Sequence, residues 1–150
     1  MRVFSDLEEL ARAKGEHLGY STWHTVTQEQ VNLFADATGD HQWIHVDPER
    51  ATQGPFGTTI AHGYLTLSLI PKLAQEIYRV DGLRMGINYG TNKVRFPHPV
   101  PVGSRVRAGA ELVEVRDVPQ GKQVVMRYTV EIEGKDKPAC VAEAVVLLVP

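Results

Sequence analysis

Polar and apolar positions divide the chain into a helical first half and a strand-rich second half. Ser5-Asp6-Leu7-Glu8 has the spacing of a capping box, with Ser5 accepting from the third amide and Glu8 reaching back. Leu7, Leu10 and Ala11 then share one helical face until Gly15. A short strand is expected over residues 21–26. Thr27-Gln28-Glu29-Gln30 repeats the capping spacing and opens a helix with Val31, Phe34, Ala35 and Thr38 on one side, ended by Gly39. Residues 41–61 follow no period, although Asp47-Pro48 has the form of a cap and first helical position. From His62 the text GYLTLSLIPKLAQEIY predicts a helix buried on all sides. Pro71 interrupts it, so either a kink or a split into two segments is expected there. Strands are expected at 83–96, 104–115, 123–133 and 139–148. In the third of these Val124, Met126, Tyr128, Val130 and Ile132 alternate with Val125, Arg127, Thr129 and Glu131, the pattern of a half-solvated antiparallel strand. Hairpin turns fall at 117–121 and 133–137. The pattern describes an α+β domain in which one buried helix lies on an antiparallel sheet of about five strands.

Composition narrows the class of protein. A chain of 150 residues fits one domain, here 1–150. Its 43% hydrophobic and 23% charged content excludes a disordered or collagen-like chain. Sixteen basic against eighteen acidic residues leave a formal charge of −2, which offers no bulk attraction to nucleic acid or to an anionic membrane. The lone Cys140 supplies neither an internal disulfide nor a thiolate metal cluster. The longest apolar run, 144–149, is far shorter than a membrane span, and the first residues lack the apolar core of a signal peptide. A soluble cytoplasmic protein is expected.

Candidate chemistry gathers in the irregular stretch and just after it. Asp40 and His45, five residues apart, can converge on one water as an acid/base pair. The plainer alternative makes Asp40 a turn cap and His45 a core histidine. His62-Gly63 heads the apolar helix, where unpaired amides and the helix dipole favour a developing oxyanion and glycine admits close approach. Plain packing is the alternative. His41, His45 and His62 offer metal ligands, but neither a zincin glutamate nor a nearby cysteine accompanies them, so no metal is expected. Ser68 and Cys140 lack the setting of nucleophiles. Lys93, Arg95, Arg105 and Arg107 alternate along two strands, either as a solvated face or as a patch for a phosphorylated ligand. Tyr89-Gly90 within a strand points to a bulge.

Four segments in order carry a family resemblance: Phe34-Ala35-Asp36-Ala37-Thr38-Gly39-Asp40, Ile44-His45-Val46-Asp47, Phe56-Gly57-x-x-Ile60-Ala61-His62-Gly63, and Lys93-Val94-Arg95-Phe96-Pro97-x-Pro99-Val100-x-x-Gly103. They resemble the MaoC-like (R)-specific enoyl-CoA hydratases, and GDHQWIHVDPERA is similar to the single-domain NodN-like subgroup. The resemblance implies a hot-dog fold, in which the sheet wraps a long central helix. It also implies reversible syn addition of water to a trans-2-enoyl-CoA, without metal or other cofactor. On that basis Asp40 and His45 are the catalytic dyad and the Gly63 amide is the donor to the thioester carbonyl. His62, Ile44, Trp43, Phe56 and Tyr64 join Gly63 as substrate-binding candidates. Two departures stand out: Gln42-Trp43 replaces a common Asn-Pro, and Pro71 stands near a site serine of some members. An acyl-CoA thioesterase and a non-catalytic acyl-thioester-binding module are the rival readings. A lone hot-dog unit leaves one sheet edge open, so a homodimer or higher homo-oligomer is expected, with an acyl-CoA thioester as the other partner.

Overall fold

The computed structural model describes residues 1–150. Its elements are β1 (Arg2–Phe4), α1 (Leu7–Arg12), β2 (His17–Tyr20), β3 (His24–Thr25), α2 (Gln28–Thr38), α3 (Trp43–Val46) and α4 (Pro48–Ala51). There follow α5 (Gly63–Ala74), β4 (Tyr78–Val80), β5 (Met85–Arg95), β6 (Arg105–Val118), β7 (Gly121–Ile132) and β8 (Cys140–Val149).

The period-two alternation of β7 survives folding intact: Val124, Met126, Tyr128, Val130 and Ile132 are buried, and the residues between them are half-exposed. This strand sits mid-sheet in the order β2-β6-β7-β8-β5, with β3 also paired to β6, and every pairing is antiparallel. Across the sheet's inner face lies α5, whose Leu65, Leu69 and Leu73 join Ala108, Ala110, Leu112 and Met126 in one core cluster of 28 buried residues. A long helix cradled by an antiparallel sheet is the hot-dog arrangement, and the α+β class follows directly. No helix is long and apolar enough to cross a membrane.

Several local expectations shift. The first cap is Asp6, not Ser5: Asp6 accepts from the Glu9 amide at 2.8 Å, and Glu9, not Glu8, reaches back to the Ser5 amide and hydroxyl. The box is intact but displaced by one residue. Thr27 caps α2 as expected, accepting from the Gln30 amide at 3.1 Å. Of the strand expected at 21–26 only the two residues of β3 form, while β2 ends just before it at Tyr20. A small parallel sheet between β1 and β4 was not visible in the pattern, because each strand has only three residues. The bulge expected near Tyr89-Gly90 is present as a register shift between Asn88 and Gly90.

Two corrections concern α5. Pro71 neither splits the helix nor ends it; the helix runs on to Ala74. Nor is the helix buried all round, because Tyr64, Ser68, Pro71 and Gln75 form an exposed strip along one side. The two facts are connected. Proline withholds one backbone donor, and on the exposed strip water can serve the carbonyl that loses its partner. Pro71→Ala is therefore expected to stabilise the fold by about 1–3 kcal/mol, read as a higher midpoint in thermal unfolding. A lower midpoint would show that the ring's packing outweighs the missing bond.

Candidate active site

Helix α2 ends at Gly39, whose backbone adopts the left-handed conformation (φ 83°) and whose amide bonds the Ala35 carbonyl at 2.8 Å. The turn releases Asp40 at the surface just beyond the helix. Three residues on, the single-turn helix α3 begins and carries His45 inward, and the chain then loops through α4 back to the head of α5. The Ile60 amide bonds the Ile44 carbonyl at 3.0 Å, which fastens the two ends of that loop beside each other.

His45 is buried and its Nδ1 lies 2.7 Å from the Ile60 carbonyl oxygen. A carbonyl can only accept, so Nδ1 carries the proton and Nε2 keeps its lone pair. Burial pushes the His45 pKa below its ordinary 6.5, and the neighbouring His62 adds to that push. The carbonyl bond and Asp40 oppose it. The ring is thus a neutral acceptor at pH 7.

His62, at the N-cap of α5, is fixed by the same logic. Its Nε2 donates to the Asp40 backbone carbonyl at 2.9 Å, leaving Nδ1 buried without a partner. Its ring stacks on His45 with centroids 3.9 Å apart and lies against Phe34 on another side, at 4.9 Å. The side-chain ligand atoms of Asp40, His45 and His62 all fall within 4.8 Å of one another. A water holding two hydrogen bonds of ordinary length spans such a gap.

Gly63 opens α5, and neither its amide nor that of Tyr64 has an acceptor within the chain. Free amides at a helix start present partial positive charge to a ligand. A side chain here would meet the Phe96 ring at 3.2 Å, so glycine also serves the packing of this corner. The remaining candidates are spread more widely. Ile44 contributes its carbonyl to the loop clasp. Trp43 packs into the loop, beneath the Arg50 guanidinium at 4.3 Å and against Gly54. Phe56 is exposed, and Tyr64 is exposed with its ring edge-on to Phe96 at 6.1 Å. Arg105 and Arg107 are paired with Glu133 and Glu131 and stacked near Trp23, whereas Lys93 and Arg95 on β5 have no carboxylate partner. The Cys140 thiol is buried and raised to about 11, which rules against a nucleophile. Ser68 spends its hydroxyl on the Tyr64 carbonyl at 2.7 Å.

Gln28 was missed from the sequence. Its amide donates to the His45 carbonyl at 2.7 Å and accepts from the Thr59 hydroxyl at 2.6 Å, tying α2 to both arms of the loop. A signal existed: Gln28, Val31 and Ala35 share one face of α2, so a polar residue stands on an otherwise inward stripe.

Beside the exposed strip of α5 lies a cavity of about 610 Å³, walled by Leu67, Pro71 and Ala74 on one side and by residues of β5 and β8 on the other.

Comparison with known proteins agrees with this architecture. Residues 9–133 match the MaoC-like domain family. The chain is 63% identical over 147 residues to 3-hydroxyacyl-thioester dehydratase Z of Mycobacterium tuberculosis, covering 97% of each protein. It is 46% identical over 138 residues to nodulation protein N of Rhizobium leguminosarum bv. viciae, covering 89% of this chain and 85% of that one. Among solved structures, the (R)-hydratase from A. caviae involved in PHA biosynthesis superposes with a TM-score of 0.73 at 26% identity, covering 90% of this chain and 97% of that chain. The ordered motifs, the wrapped helix and these matches lead to one assignment: the chain is a single hot-dog domain belonging to the MaoC-like dehydratase family.

Proposed function

We propose that this protein catalyses reversible hydration of a trans-2-enoyl-CoA to the (R)-3-hydroxyacyl-CoA. The reading is carried by two acceptors, the Asp40 carboxylate and the neutral His45 Nε2, set within one water's reach of each other. Similarity to a 3-hydroxyacyl-thioester dehydratase and to an (R)-hydratase supports the substrate class and the stereochemistry.

Two acceptors hold both hydrogens of the water and leave an oxygen lone pair facing C3 of the enoyl group. As that oxygen bonds to C3, Asp40 takes one proton, and the C2=C3 electron pair moves onto the thioester as an enolate. The Gly63 amide donates to the enolate oxygen; losing one such donor typically costs about a hundredfold or more in rate. The oxygen keeps its second proton as the new C3 hydroxyl, and the proton taken by Asp40 is the one delivered to C2, relayed through His45 Nε2, which starts without a proton, or through the same oxygen, so both groups return to their starting state. Delivery by His45 or through the same water puts H and OH on one face, which is syn addition. In dehydration the steps reverse, with His45 as a base of suitable charge for the C2 proton.

The groove beside α5 takes the acyl chain, and Lys93 and Arg95 are the free cations nearest in sequence to the Phe96–Gly63 corner for the anionic CoA end. Strand β5 is hydrogen-bonded on one edge only and exposes Met85, Ile87 and Tyr89. A long open edge of this kind invites pairing with a second copy, giving a homodimer that closes the groove. The buried free thiol of Cys140 accords with a cytoplasmic setting.

The deciding experiment offers short and medium trans-2-enoyl-CoAs to the purified protein. Loss of the conjugated enoyl absorbance without thiol release is the expected result. Release of free CoA would replace hydration by thioester hydrolysis, and binding without turnover would leave an acyl-thioester-binding module.

A further inference from the structure

Helix α3, which carries His45, has four residues and no side-chain hydrogen bond at its N-cap. A helix this short does not hold its own geometry, so the position of His45 depends on what grips it from outside. Its ring is gripped by the Ile60 carbonyl, which accepts from Nδ1–H at 2.7 Å. Its backbone is gripped by Gln28, whose Nε2 donates to the His45 carbonyl at 2.7 Å. No backbone amide competes for that carbonyl.

The Gln28 amide fits only one way round. A carbonyl accepts, so the NH2 end faces His45, and its other hydrogen goes to Asn32 Oδ1 at 2.9 Å. The oxygen end accepts from the Thr59 hydroxyl at 2.6 Å. Thr59 is buried and immediately precedes Ile60, the residue that holds the His45 ring. Residues 59–61 are themselves pinned to the body of the domain. The Val102 amide bonds the Thr59 carbonyl at 2.9 Å, and the Ala61 amide bonds the Val100 carbonyl at 2.8 Å. One amide therefore joins both supports of His45, the one at its backbone and the one at its ring. Neither Gln28 nor Thr59 lines the cavity beside α5.

We propose that Gln28 and Thr59 are positioning residues for hydration, a clamp that sets where the His45 ring stands against the Asp40 carboxylate. The inference rests on the reading of Asp40 and His45 as the pair that holds the reacting water. Two acceptors share one water only over a narrow range of separations, and a misplacement of about 1 Å can cost about a hundredfold in rate. Losing one hydrogen bond of the clamp shifts the ring by less than that, so the expected loss is about tenfold.

Variants of matched shape test the clamp. Gln28→Met keeps the length of the side chain and loses both ends of the amide; Thr59→Val puts a methyl group where the hydroxyl was. Each should lower kcat for trans-2-enoyl-CoA hydration by about tenfold while KM stays within about twofold. Thr59→Ser keeps the hydroxyl and should retain most of the native kcat. Proton NMR reads the ring without substrate, through the His45 Nδ1–H signal, identified by its loss in His45→Gln. That proton should exchange slowly with water in the native protein and in Thr59→Ser, and faster in Gln28→Met and Thr59→Val. Native kcat in both of the latter would overturn the proposal, as would an equal loss in Thr59→Ser, or an exchange rate unchanged in all three variants. If the native protein hydrates no enoyl-CoA, the hydration reading falls by itself, and the exchange rates alone decide whether the clamp holds the ring.

Discussion

Asp40→Asn is expected to lower kcat/KM for enoyl-CoA hydration by at least a hundredfold, and His45→Ala by a similar or larger factor, with thermal unfolding near that of the native protein. The asymmetry in their surroundings sets what each variant tests. Asp40 is exposed and its carboxylate accepts only one long hydrogen bond, 3.4 Å from the Gln42 amide, so the amide replacement costs the fold little. It removes the negative charge and the basic oxygen while keeping the shape. His45 is buried beneath His62, so Ala leaves a small void as well as deleting the acceptor. His45→Gln, which can keep a donor to the Ile60 carbonyl, separates the two effects: it should retain stability and still be inactive. The pH profile carries independent information. In the proposed mechanism His45 acts as a neutral acceptor, and burial holds its pKa below 6.5, so the acid limb of kcat/KM should fall below pH 6.5. Full activity in either dyad variant, measured by loss of enoyl absorbance, would remove that residue from the mechanism.

Leu73→Ala should produce the largest loss of stability of any single change considered. Leu73 is fully buried near the end of α5, in the cluster it shares with Leu69, Leu112 and Met126. Removing a leucine side chain from such a site costs the transfer energy of the lost atoms plus the cavity they leave, about 2–5 kcal/mol. In a chain of this length each kcal/mol moves the midpoint by about 2–4 °C, so thermal unfolding should begin to fail some 5–15 °C lower. The substitution lies on the opposite side of the helix from the exposed strip, so below the new midpoint the hydration rate should change little. A fall of less than 1 kcal/mol in denaturant titration would mean that the helix can settle onto the sheet to fill the space.

What could be read from the sequence was what depends on neighbours in the chain. Thr27 and Gly39 cap α2 through contacts three or four residues long, and β7 alternates because its pleat alternates; both were legible. The shift of the first cap from Ser5 to Asp6 was not, since both residues satisfy the pattern and only the backbone path chooses. Asp40 and His45 were legible as a pair through short spacing and through the family motifs around them. The stacking of His62 on His45 was hidden, because it depends on the clasp between Ile60 and Ile44, which closes a loop of fifteen residues. Gln28 was hidden for the same reason. The exposed strip of α5 was misread because an apolar helix can border a groove as readily as a core.

Main-chain carbonyls orient both histidines: Ile60 holds the His45 ring, and Asp40 holds that of His62. The alignment of the rings is therefore written in the path of the chain and not in the side chains along it. Changing the side chain of Gln42 leaves both carbonyls in place and should leave the proposed dyad aligned. Length has no such freedom. One residue inserted or deleted between Asp40 and His45 would rotate His45 away from its carbonyl and carry Asp40 off its histidine in the same step, so this short stretch should tolerate spelling changes but not a change in the number of letters.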